Sequence, residues 1–421
     1  MKNGWSTGKL GDVCETIQDG AHESPQKQFD APAEGRFLYI TSKNIRTNYV
    51  DLDNVSYVER DFHDRIYPRC QPRVGDVLLT KDGANTGNVT LNTIDEPFSL
   101  LSSVCLIKTN PAALKPAFLC YYLQSPDGLK GVTGQMTGAA IKRIILRDIK
   151  LATIPLPPLS EQQRIVGILD EAFEGLATAT ANAKKNLRNA RALFESHLQS
   201  VFTQRGPGWV ETTLNRATDG IFTGPFGSLL HKNDYVANGI PLVNPAHITE
   251  VGIEPDLRKT VSKATALRLK NYIMREGDIV IGRRGEMGRC ALVTEVEDGW
   301  LCGTGSFFIK PSSRCDARYL VRFLRSDGCK ARLEKIAGGA VMPNLSNTDL
   351  GNLVLDLPPF DRQITIVEEI DSLHEEAQRL ARLYERKLAA LDALKKSLLH
   401  QAFSGQLTMD HGQRAMRKSV S

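Results

Sequence analysis

The sequence repeats itself at a distance of 201 residues. "IPLPPLSEQQRIVGILDEAF" begins at Ile154 and "LDLPPFDRQITIVEEIDSLH" at Leu355. Both are an apolar strand end, a Pro-Pro step, a polar residue and then a helix with apolar spacing. The agreement extends upstream. "RVGDVLLTKDGANTGNVTL" (73–91) matches "REGDIVIGRRGEMGRCALV" (275–293), "VCLIK" (104–108) matches "SFFIK" (306–310), and "YYLQSPDGLK" (121–130) matches "RFLRSDGCK" (322–330). Gly4–Trp5 recurs as Gly208–Trp209. A period this long is not a solenoid repeat. It is a tandem duplication of a whole unit, globular part followed by helix.

Each globular part reads as mixed α/β with short strands. Val77–Leu79 and Ile279–Ile281 are apolar runs after Gly-Asp turns, and Asp82–Gly83 is a hairpin-turn signal. "PAFLCYYLQS" and "ARYLVRFLRS" read as one short helix in each half. In the long helices the apolar or small residues alternate steps of four and three. In the first they fall at Ile165, Leu169, Ala172, Leu176, Ala179 and Ala183, and in the second at Ile366, Ile370, Leu373, Ala377, Leu380 and Tyr384. Both seams then skip alike, through Leu187 to Ala190 and through Leu388 to Leu391. This is coiled-coil spacing, and a shared break in register implies one packing geometry. Ser160 is expected to cap the first helix with Gln163 closing a capping box, and Asp361 to cap the second without one. Gly206 and Gly405 stand just beyond the expected ends. The predicted fold class is α/β (α+β): two mixed α/β domains separated by two long helices that pair as an antiparallel coiled coil, with a pseudo-twofold repeat. About 45 residues at ~1.5 Å each make a helix of roughly 65 Å. The expected division is 1–155 for the first domain, 156–205 for the first helix, 206–356 for the second domain, 357–404 for the second helix and 405–421 for a tail.

The formal net charge of the chain is +5, with 41% hydrophobic and 24% charged residues. Residues 1–155 hold 18 Lys/Arg against 17 Asp/Glu and residues 206–356 hold 19 against 17. A protein gripping DNA by phosphates alone should be more basic. Nucleic acid, if bound, must meet local basic loops within a larger assembly. The eight cysteines lack CxxC spacing and paired histidines, which favours reduced, mostly buried thiols over a structural zinc site. The N-terminus has no apolar signal region and no stretch reaches the length of a membrane span, so the expected location is cytoplasmic.

Two loop pairs are candidates for DNA contact. The tip "TKDGANTG" offers Lys81, Asn85 and Thr86, and "GRRGEMGR" offers Arg283, Arg284 and Arg289 at the equivalent place. Arginine can hold guanine by two hydrogen bonds, asparagine suits adenine, and lysine and arginine also hold phosphate. The second pair is "GAAIKRIILRDI" (138–149), with Lys142 and Arg143, and "GGAVMPNLSNTDL" (338–350), with Asn344. The competing reading of both is an ordinary solvated loop.

Taken in order, these motifs resemble the specificity subunit of a type I restriction–modification system. The junctions "PLPPLSEQQRIVGILD" and "DLPPFDRQITIVEEID", the helix end "LLHQAFSGQLT" (398–408) and the opening "TGPFGSLLHKNDYVANGIPLV" (223–243) carry the match. "DGAHESPQ" with "FLYITSKNI" resembles another opening of the same family. The resemblance spans nearly the whole chain. It implies two target-recognition domains, each reading one half of an asymmetric, interrupted DNA sequence, with helices that set the gap. It adds His22, His231, Lys232 and Asn244 as candidate contacts in the opening segments. It further implies two methyltransferase (modification) subunits that use S-adenosylmethionine, and restriction (helicase-nuclease) subunits that use ATP and Mg, with no cofactor bound by this chain. The second junction departs from the first in having Asp-Arg-Gln for Ser-Glu-Gln.

Catalytic readings fare worse. "DLPPF" resembles the target-amine loop of an amino-methyltransferase, but Leu357 stands where Asn or Asp is needed. "GANTG" lacks the Lys-Ser/Thr of a phosphate-binding loop. A self-contained DNA-modifying enzyme with cryptic sites is the alternative, and a plain coiled-coil scaffold is a third reading.

Overall fold

The computed structural model describes residues 5–133, 143–226, 229–337 and 344–407. It divides into two compact units, residues 1–184 with 386–421, and residues 185–385. Two long helices, Leu159–Thr203 and Phe360–Phe403, each contribute a portion to both units.

The first unit is built on a four-stranded antiparallel sheet in the order Cys14–Asp19, Val104–Thr109, Val77–Thr80, Val89–Leu91. The second repeats that order with Thr218–Thr223, Ser306–Pro311, Ile279–Gly282 and Cys290–Leu292. The register repeats as well, Ile107 facing Val77 and Ile309 facing Ile279. "VLLT" and "IVIG" are buried along their whole length, which is why these strands read as unbroken apolar runs rather than alternating ones. Each domain closes by pairing its first strand with its last. Ser6–Lys9 lies antiparallel to Thr153–Leu156, and Val210–Thr213 to Val354–Leu357. The Pro-Pro step therefore follows the closing strand directly. The short helices run Pro116–Gln124 and Ala317–Arg325. The hairpin expected at Asp82–Gly83 exists, but its connection is the long loop 81–88, not a two-residue turn.

Neither long helix starts as expected. Ser160 and Asp361 lie inside the first turn, because the helices begin at Leu159 and Phe360. The carbonyls of Pro158 and Pro359 accept the first bonds, from Gln162 N at 3.0 Å and Gln363 N at 3.1 Å. The side chains of those two glutamines, both fully buried, do what a capping box would not. Gln162 donates through Nε2 to the carbonyls of Ala113 and Pro157, both at 2.9 Å, and accepts from Lys115 N at 2.9 Å. Gln363 does the same with Arg314, Pro358 and Asp316 N, at 2.9, 2.8 and 2.7 Å. Every partner recurs 201 residues on. The Asp-Arg-Gln departure is thus harmless, since the glutamine that matters is the one both junctions share.

The seam residues Ile165, Leu169, Ala172, Leu176, Leu187, Ile366, Ile370, Leu373, Leu380, Leu388 and Leu391 are all buried or half-buried. In the first unit Ile165, Leu169 and Phe173 share a core with Leu399, Ala402 and Phe403. In the second, Leu198 packs with Ile366 and Ile370, and Phe194 meets His374 at 4.7 Å. In the second unit Arg191 pairs with Glu385 and Phe194 with His374, so partner numbers fall as helix numbers rise and the pairing there is antiparallel. Each helix also ends in a plug. Phe403 sits edge-on to Phe118 and Tyr122, both at 5.2 Å. Phe202 sits likewise against Tyr319 at 5.5 Å and Phe323 at 5.6 Å. Truncating such a phenylalanine costs about 3–5 kcal/mol. All eight cysteines are free thiols and all but Cys14 are buried.

Candidate nucleic-acid interface

Three segments meet in the same way in each unit. The first is the hairpin loop between the two central strands. Its bends need glycine, with φ of +99° and +94° at Gly83 and Gly87, and +82° and +75° at Gly285 and Gly288. The second is the stretch before the last strand. Among the described residues it forms one antiparallel bridge to the loop, Asp82 with Arg143 and Arg284 with Asn344. Ile144 N donates to Lys81 O at 2.9 Å and Leu345 N to Arg283 O at 3.0 Å. The third follows the first sheet strand. Gly20 and Gly224 press so closely on backbone that a Cβ would lie 2.2 Å from Leu100 O and 1.9 Å from Gly303 O. Two residues later each chain presents an exposed ring, His22 or Phe226. The two loop pairs that the sequence offers separately are therefore one site per unit.

The chemistry of the two sites differs. In the first unit Lys81 is only 3% exposed. Its Nζ lies 3.3 Å from Asp19 Oδ2 and 3.5 Å from Asp82 Oδ2. Asp19 also meets Arg69 Nη2 at 2.8 Å and His22 Nε2 at 3.0 Å. Burial by itself would raise the Asp19 pKa, but the Arg69 hydrogen bond and the charges of Lys81 and His22 outweigh it and hold the carboxyl below its ordinary value. Lys81 is thus placed beneath the loop as an ion-pair partner, not at its surface as expected for a base or phosphate contact. Arg143 is exposed, and its Nε lies 3.0 Å from Asp82 Oδ1 as an ion pair. Asn85 Nδ2 donates to Ser42 O at 3.0 Å, and Thr86 Oγ1 to Gly83 O at 2.6 Å. Lys142 lies outside the described residues.

In the second unit Arg283 and Arg284 both donate from Nε to Asn344 Oδ1, at 3.2 and 3.3 Å. The Arg283 guanidinium lies 5.8 Å from the Phe226 ring centroid and 5.4 Å from that of Phe307. Burial, with the Arg284 charge beside it, lowers its pKa. Among the described residues neither arginine has a carboxylate partner. Arg289 pairs with Glu286 on the same loop. Asn244 is at the base of the site, where a Cβ on Gly303 would lie 2.3 Å from its Oδ1. His231 and Lys232 belong to a separate turn, Lys232–Asp234, which Arg268 ties down through Asp234 at 2.7 Å. Sequence reasoning missed Asp19, Arg69, Phe226 and Phe307. Phe226 had a signal, since "TGPF" places it after a glycine as "DGAH" places His22.

Two like units with a loop-built polar site on each, and paired helices shared between them, define a duplicated recognition protein. A family model described as the type I restriction modification DNA specificity domain matches residues 2–188 and 227–385. The specificity subunit of the type I restriction enzyme MjaVIII from Methanocaldococcus jannaschii is 21% identical over 427 residues, covering 96% of this chain and 93% of that one. The EcoKI specificity subunit of Escherichia coli is 22% identical over 430 residues, covering 97% and 90%. The crystal structure of the HsdS subunit from Thermoanaerobacter tengcongensis superposes with a TM-score of 0.62 at 21% identity, over 97% of this chain and 98% of that one. A chain from a structure describing assembly and conformational transition of the type I R-M system gives a TM-score of 0.74 at 21% identity, over 97% and 99%. The chain belongs to the type I restriction–modification DNA specificity family. No helix among the described residues is long and apolar enough to cross a membrane.

Proposed function

We propose that this chain is the DNA-reading and scaffolding subunit of a type I restriction–modification complex, each unit reading one half of an asymmetric, interrupted target. The observation that carries this reading is the repeated convergence of three loop segments on a sheet that is otherwise the same in both units, with different side chains at matching positions. One backbone presenting two chemistries is what a reader of two unlike half-sites requires. The nearly neutral domains fit local rather than global attraction of DNA. In the first unit His22, Asn85, Thr86 and Arg143 face DNA, with Lys81 supporting them from below. In the second, Arg283, Arg284, Arg289 and Asn344 do so, with Asn244 at the base and His231 and Lys232 at the margin.

The chain itself performs no chemistry in this reading. Two modification subunits dock on the helices and supply methyl transfer from S-adenosylmethionine. Restriction subunits supply ATP- and Mg-dependent cleavage, and the assembly is cytoplasmic. The test is methyl transfer to DNA by the purified chain with and without its modification subunit. Transfer is expected only with the partner and only at a bipartite site. Transfer by the chain alone favours the self-contained enzyme instead.

A further inference from the structure

The site of the second unit says which base edge it takes, given that the loops face DNA as proposed above. Asn344 Oδ1 accepts from Arg283 Nε and Arg284 Nε at 3.2 and 3.3 Å. An asparagine that reads adenine needs its carbonyl oxygen and its amide nitrogen together. Here the oxygen is already shared between two donors, so Asn344 is not an adenine reader. What it does is hold two guanidinium groups by their inner nitrogens. That leaves the terminal Nη pair of each, a planar two-donor fork, facing away from the holder. The holder is neutral, so neither charge is cancelled. Arg283 is further restrained. Its backbone N donates to Gly305 O at 3.0 Å and its O accepts from Leu345 N at 3.0 Å. The Phe226 and Phe307 rings, 5.8 and 5.4 Å from the guanidinium, limit where its plane can turn.

We infer that Arg283, Arg284 and Asn344 form a guanine-reading site in which Asn344 aims the arginine forks at the O6 and N7 acceptors of the major groove. Adenine offers a donor, N6–H2, where guanine offers O6, so the fork meets a donor and the pair is refused. Among the described residues the first unit has no such site. At the matching positions it carries Lys81, Asp82 and Arg143, and both cations are bound to carboxylates. The guanine preference therefore belongs to one half-site only, and Asn344 is a positioning residue for it.

The experiment uses the full chain assembled with its modification subunit. The target is first read from the methylated sites of cells expressing both. Duplexes then carry 7-deazaguanine, which lacks the N7 acceptor, at one guanine at a time. In the half-site that the Arg283→Ala and Arg284→Ala variants affect, one guanine should stand out. Losing its N7 should weaken wild-type binding about five- to tenfold, part of what a two-bond contact provides. That sensitivity should vanish in Arg284→Ala. It should also vanish in Asn344→Ala, which removes the acceptor that aims the forks, and persist in Asn344→Asp, which keeps that acceptor, while the other half-site stays unchanged. A purely structural Asn344 would not change base preference at one pair. If no guanine in that half-site responds, or if the arginine variants weaken all duplexes alike in a salt-dependent way, the guanine assignment is wrong and the pair holds phosphate. If the arginine variants alter neither half-site, the placement of this loop on DNA is wrong as well.

Discussion

Lys81 and Arg283 open the same loop on the same strand, yet one is sealed and the other is not. Lys81 is buried against Asp19, itself held by Arg69 and His22. Arg283 shares a neutral acceptor with Arg284 and lies near two aromatic rings. Duplication kept the backbone that presents the loop, through the glycines at 20 and 224 and the bridge from 143 or 344. Divergence then worked on the few side chains that face outward from that frame. A charge satisfied within the protein stabilises the unit, whereas a charge left open is available to a ligand. The comparison teaches that matching positions in a repeat need not share a task.

The largest effect that could break this contrast is on stability. Asp19→Ala strands Lys81 as a buried, poorly compensated cation, and breaking such a pair costs about 3–5 kcal/mol. Hydrogen exchange resolved along the chain should show the loss in residues 5–133 and leave 229–337 protected as before. A loss spread evenly over both units would contradict the local role given to Asp19. Next in size are the buried glutamines. Gln162→Leu and Gln363→Leu each leave one half-buried N–H and two carbonyls short of a partner, a loss of roughly 2–3 kcal/mol. Here the two units should respond alike, since the lock is duplicated bond for bond. Unequal losses in denaturant unfolding would show that one lock is decorative. Arg283→Ala should change stability by only about 0.5 kcal/mol, as for other substitutions that break no buried network. Its effect should appear in DNA recognition instead.

Acid should separate the units too. Asp19 has a folded pKa below its ordinary value of 3.8. Its contribution is therefore fully present above that value and is lost as pH falls through the lower folded one. The stability difference between wild type and Asp19→Asn should be constant from neutral pH to about 5 and shrink below about 4. A difference that grows on acidification would reverse the sign argued here.

Much of the architecture was legible in the sequence because it rests on periodicity. Ile165, Leu169, Ile366 and Ile370 repeat every three or four residues, and burial of one helix face enforces such spacing regardless of detail. The helix starts were misjudged for a physical reason. Ser160 is a good local cap, but a glutamine reaching three backbone groups of its own domain makes a local cap unnecessary. Local pattern cannot reveal a partner such as Ala113, far away in the chain. The site was half legible. Both loops stood out through glycine and charge, yet they meet through a β-bridge that no periodicity announces. Whether a loop cation is free depends on a residue such as Asp19, 62 positions earlier. Lysine 81 and arginine 283 look alike in sequence and differ only in their surroundings.

The most direct test of two independent readers is a comparison of methylated sites in cells carrying the modification subunit with either the wild-type chain or the Arg283→Ala, Arg284→Ala double variant. The account predicts a bipartite target in which one half is degenerate in the variant and the other half and the gap are unchanged. Loss or relaxation of both halves together would contradict it.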